Sequence, residues 1–164
     1  MKPHSHFVDH DAARAAVALA LPSIEKLLQC PGVSACHVLH LVVLDPGRPH
    51  GSCPFDEAVL YEHSVGPRAH WDADYAQFAR DKARLCWRHR MGGRQLILME
   101  PHRLAHDDSL LWGGVWLDGL VVAASGALSS WDEACSLMVA AHLRAIALDR
   151  STGMEIAGVL AVKS

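Results

Sequence analysis

The densest chemistry in the sequence lies between residues 80 and 94. Arg80, Arg84 and Arg88 recur there at i, i+4 spacing, and Lys82, Arg90 and Arg94 join them against a single acid, Asp81. Like charges at that spacing cost an isolated helix about 0.2–0.5 kcal/mol per pair, so something anionic is expected to offset them. A guanidinium fork suits a carboxylate or phosphate ligand; the plainer alternative is a solvated face paired with nearby Asp and Glu. Lys82 differs from the arginines because it falls in the apolar phase of its helix, between Phe78 and Leu85-Cys86. A lysine on a buried side must pair or lose its charge. It is expected to touch a substrate anion, or to bridge to strand-end carbonyls and Asp45.

Twelve histidines supply the next candidates, and protonating all of them would carry the net charge from -3 to +9. His102 and His106, followed by Asp107 and Asp108, offer nitrogen and oxygen donors for zinc, iron or copper, though at no recognised zinc spacing. Cys86 and His89 stand three apart on one helix, the beginning of a nucleophile–base pair that lacks an orienting third group. His37 and His40 fall in a strand and His63 ends another, where structural hydrogen bonding is the ordinary role. His142 sits on a largely apolar helix as a satisfied core or interface histidine. His4-x-His6 suits adventitious nickel or copper. Gly113-Gly114 permits either close approach by a ligand or a strand bulge. No G-x-G-x-x-G, Walker or G-x-S-x-G pattern occurs, and Ser125-Gly126 alone is weak.

The elements that must position these residues follow from periodicity. Residues 1–10 are expected as a flexible arm, and residues 11–164 as one domain. Ala13, Ala16, Val17, Ala20, Ile24, Leu27 and Leu28 predict a helix that Pro22 kinks or divides and that Pro31-Gly32 ends. Residues 35–44 predict a strand buried on both faces, and residues 57–64 a second strand able to pair with it. The arginine-bearing helix is expected over residues 71–91, stopped by Gly92-Gly93. Residues 95–99 are either strand or helix. Residues 112–117 and 120–125 predict a hairpin turning at Asp118-Gly119. A last helix opens with the capping-box spacing Ser130-Trp131-Asp132-Glu133 and runs to about Arg150. Met154 to Val162 is apolar and suits a short edge strand or helix. Helices alternating with strand pairs predict an α+β fold, an antiparallel sheet flanked by helices.

Composition narrows the classes. A chain of 164 residues, 51% hydrophobic and 20% charged, has material for one core, which excludes disorder, collagen and coiled coil. A sequence pI near 6.4 argues against nucleic acid as a partner. Cys30, Cys36, Cys53, Cys86 and Cys135 are odd in number and form no C-x-x-C, as expected of reduced thiols in a cytoplasmic protein. Asp9, Asp11 and Arg14 interrupt any signal peptide, and no apolar run is long enough to span a membrane.

Three stretches, taken in order, resemble the GlcG/HbpS-like family, a haem-degrading domain formerly of unknown function. Leu41-Val42-Val43-Leu44-Asp45-Pro46-Gly47 is similar to that family's strand ending in Asp-x-Gly-Gly. Phe78-Ala79-Arg80-Asp81-Lys82-Ala83 is similar to its helix with a Lys-Ala pair. Gly113-Gly114-Val115, then Asp118 to Gly126, then Asp132-Glu133 resemble its Gly-Gly-Val-Pro strand, its strand ending in Ser-Gly, and its Asp-Glu helix start. Trp116 stands where the family usually has proline, and Pro46 replaces the residue between Asp and Gly. The resemblance spans roughly residues 36–148 and marks a divergent member. It implies a profilin-like or PAS-like fold, self-association, and the haem or iron binding with which members have been linked.

Together these readings lead to an expectation of an oligomeric binding module for haem or another small anionic ligand. Its pocket is expected between the Lys82 helix and the hairpin, lined by Lys82, Arg84, Arg88, His89, Gly113, Gly114, Ser125 and Gly126, with His102 and His106 as a metal pair. The alternatives are an enzyme acting on a small carboxylic acid, with Lys82 as electrophile and a histidine as base, and a structural subunit without ligand.

Overall fold

Asp9 fixes where the first helix begins. Its side chain accepts from the Ala12 amide at 2.8 Å, capping α1 (His10–Leu28). A computed structural model describes residues 4–156, of which 154–156 as backbone alone. Pro22 neither divides nor ends α1. It stands on the exposed side, where water can satisfy the carbonyl its ring leaves free.

Four strands follow. β1 (Leu39–Leu44) is central, and α2 (Phe55–Ala58) leads directly into β2 (Val59–Val65). β3 (Gly114–Leu117) and β4 (Leu120–Ser125) form the expected hairpin, and the sheet order is β2-β1-β4-β3, antiparallel throughout. Asp118 and Gly119 both take positive φ, 50° and 90°, as a two-residue turn matched to strand twist requires. Between the strand pairs come α3 (Tyr75–His89) and α4 (Gly93–Met99), and α5 (Ser129–Ile156) closes the fold. The α+β expectation holds.

Strand periodicity sorts the sheet into two faces. Leu39, Leu41, Val43, Leu120, Val122 and Ala124 point toward α1 and α5; Val42, Leu44, Val121 and Ala123 point toward α3. β1 is buried at every position because both faces are covered. By the same alternation His40, Ser125, Glu62 and Ser64 fall on the α3 face.

Several boundaries differ from expectation. α3 begins four residues later than expected, where Asp74 accepts from the Gln77 amide. It ends at His89 rather than at Gly92-Gly93, because Arg90 takes the left-handed conformation, φ 53°, and donates its amide to Cys86 O. Residues 93–99 are helical. Residues 4–9 are no loose arm: Val8 is buried, His4 and Ser5 bond to Asp45, and Arg150 of α5 donates to Asp9. The Ser130-to-Glu133 capping box does not form as expected; Glu133 pairs with Arg94. The element expected from Met154 onward falls mostly outside the described residues. No helix among them is long and apolar enough to cross a membrane.

Candidate functional site

Of the residues expected to line a pocket, Lys82, Gly113, Gly114 and Ser125 meet, but they fill it, while Arg84, Arg88 and His89 lie elsewhere. Lys82 Nζ lies 2.7 Å from Asp132 Oδ2, 3.1 Å from Ala124 O and 3.3 Å from Ser125 Oγ, with Lys82 and Asp132 each 3% exposed or less. Asp132 Oδ1 accepts from the Ala127 amide. Gly113 takes φ 139°, and a Cβ there would stand 2.6 Å from Asp132 Cβ and 3.2 Å from Lys82 Nζ. A Cβ on Gly114 would meet Cys86 Sγ and Lys82 O, and one on Gly126 would overlap the Val38 carbonyl. These glycines admit neighbouring protein atoms rather than a ligand. Burial raises the Asp132 carboxyl to about 6, against the pull of Lys82 and the Ala127 amide. Lys82 therefore pairs as required of a buried lysine. Its charged partner is Asp132 rather than Asp45, and the expected bridge to a strand-end carbonyl is made to Ala124 O.

The arginine stripe is also paired. Arg80 clamps Glu62 through two bonds of 2.9 and 3.0 Å and reaches Asp56. Arg84 donates to Asp81 and stacks on Phe55 at 4.5 Å. Arg88 and His89 share Asp108, whose carboxyl also takes the Ala105 amide and so anchors the loop after α4. Burial pushes that carboxyl up, but the Ala105 amide, His89 and Arg88 hold it below the usual carboxylate range. The plainer reading of the stripe is the observed one. Cys86 and His89 do not form a nucleophile–base pair: His89 faces Asp108, and burial pushes the Cys86 thiol up to about 12.

His106 is almost fully exposed and bonds only its neighbour Asp107. Among the described residues no group of three or more His, Cys, Asp or Glu converges to hold a metal, so His102 and His106 gain no further ligand. His37 lies before β1 rather than in it, with φ 56° and its ring against Leu28 O. His142 is not satisfied; its Nδ1 is buried without a hydrogen-bond partner.

A guanidinium donor without an acceptor appears elsewhere, at the C-terminal end of β1. Asp45-Pro46-Gly47 turns the chain there, and the Asp45 carboxylate is already saturated. Oδ1 accepts from Gly47 N at 2.8 Å and Ser5 N at 3.1 Å, and Oδ2 accepts from His4 Nδ1 at 2.7 Å. Arg48 divides its guanidinium between Glu57 (Nη1, 3.2 Å) and His4 (Nη2, 2.6 Å). Its Nε is buried with no hydrogen-bond partner, and Asp45 Oδ2 lies 3.9 Å away. Because arginine only donates, His4 Nε2 must be the acceptor and Nδ1 the protonated nitrogen. The amino-terminal segment thus packs against two residues, Asp45 and Arg48, that line a cleft.

That cleft has a volume of about 30 Å³ and is lined by Asp45, Arg48, His50, Trp87, Arg90, Trp116 and neighbouring apolar residues. Trp87 Nε1 donates to Arg48 O at 2.7 Å, and the His50 ring meets Trp87 edge-on at 4.9 Å. Arg90 forms no ion pair or hydrogen bond from its side chain to any described residue. One water needs roughly 10–15 Å³, so the volume accommodates two or three water-sized groups, the dimensions of a carboxylate head. A second, open depression of about 410 Å³ between Phe7, Leu120 and Leu148 contains one cation, Arg144, which is paired with Asp118 at 2.7 Å. The first is too small for haem, and the second has no histidine, cysteine, methionine or tyrosine among its lining residues.

Sequence reasoning placed Asp45-Pro46-Gly47 at a strand end and gave no binding role to Arg48, His50, Trp87 or Trp116. The available signal was tryptophan and arginine recurring where elements end: Arg48 after β1, Trp87 and Arg90 at the close of α3, Trp116 beside the hairpin turn. Comparisons with protein-family models, curated proteins and solved structures give no significant match to this chain.

Proposed function

We propose that this protein is a binding module for a small organic acid, with the carboxylate seated against Arg48 and Arg90 at the C-terminal end of β1. The observation that carries the reading is the buried Arg48 Nε, which lacks a hydrogen-bond acceptor in a cleft that holds a second arginine without an acid partner. A buried donor left unsatisfied costs about 1–3 kcal/mol, and a carboxylate oxygen removes that cost. Trp87 and Trp116 give the ligand apolar walls, and the small volume selects short acids over bulky ones. This keeps the small anionic ligand of the sequence reading and moves it from Lys82 to the other end of the sheet.

Titration with acetate, glycolate and benzoate, with sodium chloride as the ionic control, tests the proposal through the indole N–H resonances of Trp87 and Trp116. Saturable shifts are expected with acetate and glycolate, weaker ones with the bulkier benzoate, and none with chloride. Arg90→Ala is expected to weaken them about 10- to 100-fold, the range for a hydrogen bond to a charged group. Identical responses to chloride and carboxylates, or undiminished binding in Arg90→Ala, would overturn it.

A further inference from the structure

A separate cluster lies at the opposite end of the α3 face. The β1–β2 register sets His40 beside Ser64 and Val42 beside Glu62, with the three polar side chains on one face. Ser64 Oγ stands 2.8 Å from His40 Nδ1, and His40 Nε2 stands 3.2 Å from Glu62 Oε1. Charge fixes the direction of both bonds. Glu62 is clamped by Arg80 Nε and Nη2, which hold it as an ionised acceptor against the opposing effect of burial. His40 Nε2 must therefore donate to Glu62, and Nδ1 keeps the lone pair that faces the Ser64 hydroxyl.

We infer that Ser64, His40 and Glu62 form a nucleophile–base–carboxylate relay that accepts an acyl group from small aryl esters. The relay has the three roles that activate a serine: a hydroxyl, a base within hydrogen-bond reach, and a carboxylate that orients the base. Access suits it, because Ser64 is partly exposed on an edge strand while His40 is buried. Arg68 Nη2 donates to Ser64 Oγ at 3.3 Å, and its guanidinium lies over Trp71 at 4.8 Å. That places a cation beside the attacking oxygen, where it can offset the negative charge of the tetrahedral adduct formed on Ser64. The Trp71 ring, 5.9 Å from His40, supplies an aromatic wall for the leaving group.

The chemistry balances without a cofactor. Ser64 Oγ attacks the ester carbonyl carbon as its proton passes to His40 Nδ1. The carbon–oxygen bond to the aryl group then breaks, and the departing oxygen takes the electron pair and that proton. A water molecule then attacks the acyl carbon as its proton passes to His40 Nδ1; the carbon–Oγ bond breaks and Ser64 Oγ takes that proton back, so that ester and water become acid and phenol. Glu62 is a positioning residue.

His40 is suited to be a base near neutrality. Burial lowers its pKa below the ordinary 6.5, Glu62 opposes this, and Arg68 and Arg80 add to it. The other groups around it are Ser64, Trp71 and, across the β1–β4 register, Ser125 with Lys82. The acylation rate should rise with pH through an apparent pKa below 6.5 and then level off.

The test incubates the full chain with p-nitrophenyl acetate, follows p-nitrophenolate release, and maps the acetyl group by peptide mass spectrometry. Acetylation at Ser64 is expected, absent in Ser64→Ala and slowed about 100-fold or more in His40→Gln. Glu62→Gln should slow it and displace the pH profile, a response that a purely structural carboxylate would not give. Ser64→Ala and Glu62→Gln keep the buried imidazole, so they carry the test should His40→Gln fail to fold. Acetyl groups only on lysines, histidines or cysteines, or an unchanged rate in Glu62→Gln, would overturn the inference.

Discussion

The two ends of the same β1–β4 surface each place a cation beside an aspartate, and they resolve it in opposite ways. At the Lys82 end every valence is used: the ammonium has three acceptors, and the Asp132 carboxylate divides between Lys82 and the Ala127 amide. At the Arg48 end the aspartate is satisfied by others, chiefly His4, Ser5 and Gly47, and the guanidinium keeps a buried donor with no acceptor. A buried charge whose partners match its donors is architecture. A donor in excess, at a cleft, retains capacity for a ligand. The number of partners, more than the type of residue, separates a keystone from a site.

The largest test of this contrast breaks the sealed end. Lys82→Met leaves Asp132 buried without its counter-charge, which should cost roughly 3–5 kcal/mol. In a chain of this size that is a fall in melting temperature of about 10 °C. Replacing both partners, Lys82→Met with Asp132→Leu, should recover much of the loss, because apolar groups of similar volume need no partner. Thermal unfolding of the two variants checks it. A cost under about 1 kcal/mol for Lys82→Met would show that the pair is not closed, and the contrast would fail.

A smaller effect is expected from pH. Asp132 has a folded-state pKa of about 6, raised from 3.8, so between these values the folded chain holds a proton that the unfolded chain has released. Its contribution is full below about pH 4 and is lost as pH rises through 6, amounting to at most about 3 kcal/mol. His40, Glu62, Asp108 and Asp9 shift the other way, and their contributions are lost as pH falls. The comparison with Asp132→Asn isolates the first group. The stability of the native chain relative to that variant should decline from pH 4 to 6, measured by urea unfolding. A flat difference would mean that Lys82 fully offsets burial.

These partners also mark where the sequence stopped being legible. Local rules were sufficient for the Asp118-Gly119 hairpin, for most of the helices and strands, and for the apolar phase that buries Lys82, because each depends on residues a few positions apart. They could not name Asp132, which lies 50 residues from Lys82 and read as part of a capping box. Nor could they show that Glu62 and Asp108, 18 and 20 residues from Arg80 and Arg88, neutralise the stripe. The His4 contact to Asp45 spans 41 residues. The same reach made residues 4–9 look like an arm when they hold Asp45 and Arg48 in place. Ends of elements moved wherever a side-chain cap or a left-handed residue, as at Asp74 and Arg90, overrode the hydrophobic period.

The smallest effect is expected at Arg84, and it discriminates between the two readings of the arginines. Arg84 and Arg90 lie close together along the chain, six residues apart, yet only Arg84 has partners: Asp81 at 3.1 Å, with both side chains partly exposed, and the Phe55 ring. An exposed pair is worth about 0.2–1 kcal/mol, and a cation–π contact at such a site adds a similar amount. Arg84→Ala should therefore lower stability by about 0.5–2 kcal/mol and leave the carboxylate titration unchanged. Arg90 has no such contacts to lose, so Arg90→Ala should leave stability within about 0.5 kcal/mol while weakening the titration. If carboxylate binding were lost in Arg84→Ala and kept in Arg90→Ala, the ligand would belong to the exposed stripe. The buried, unpartnered Arg48 Nε would then be a local packing defect.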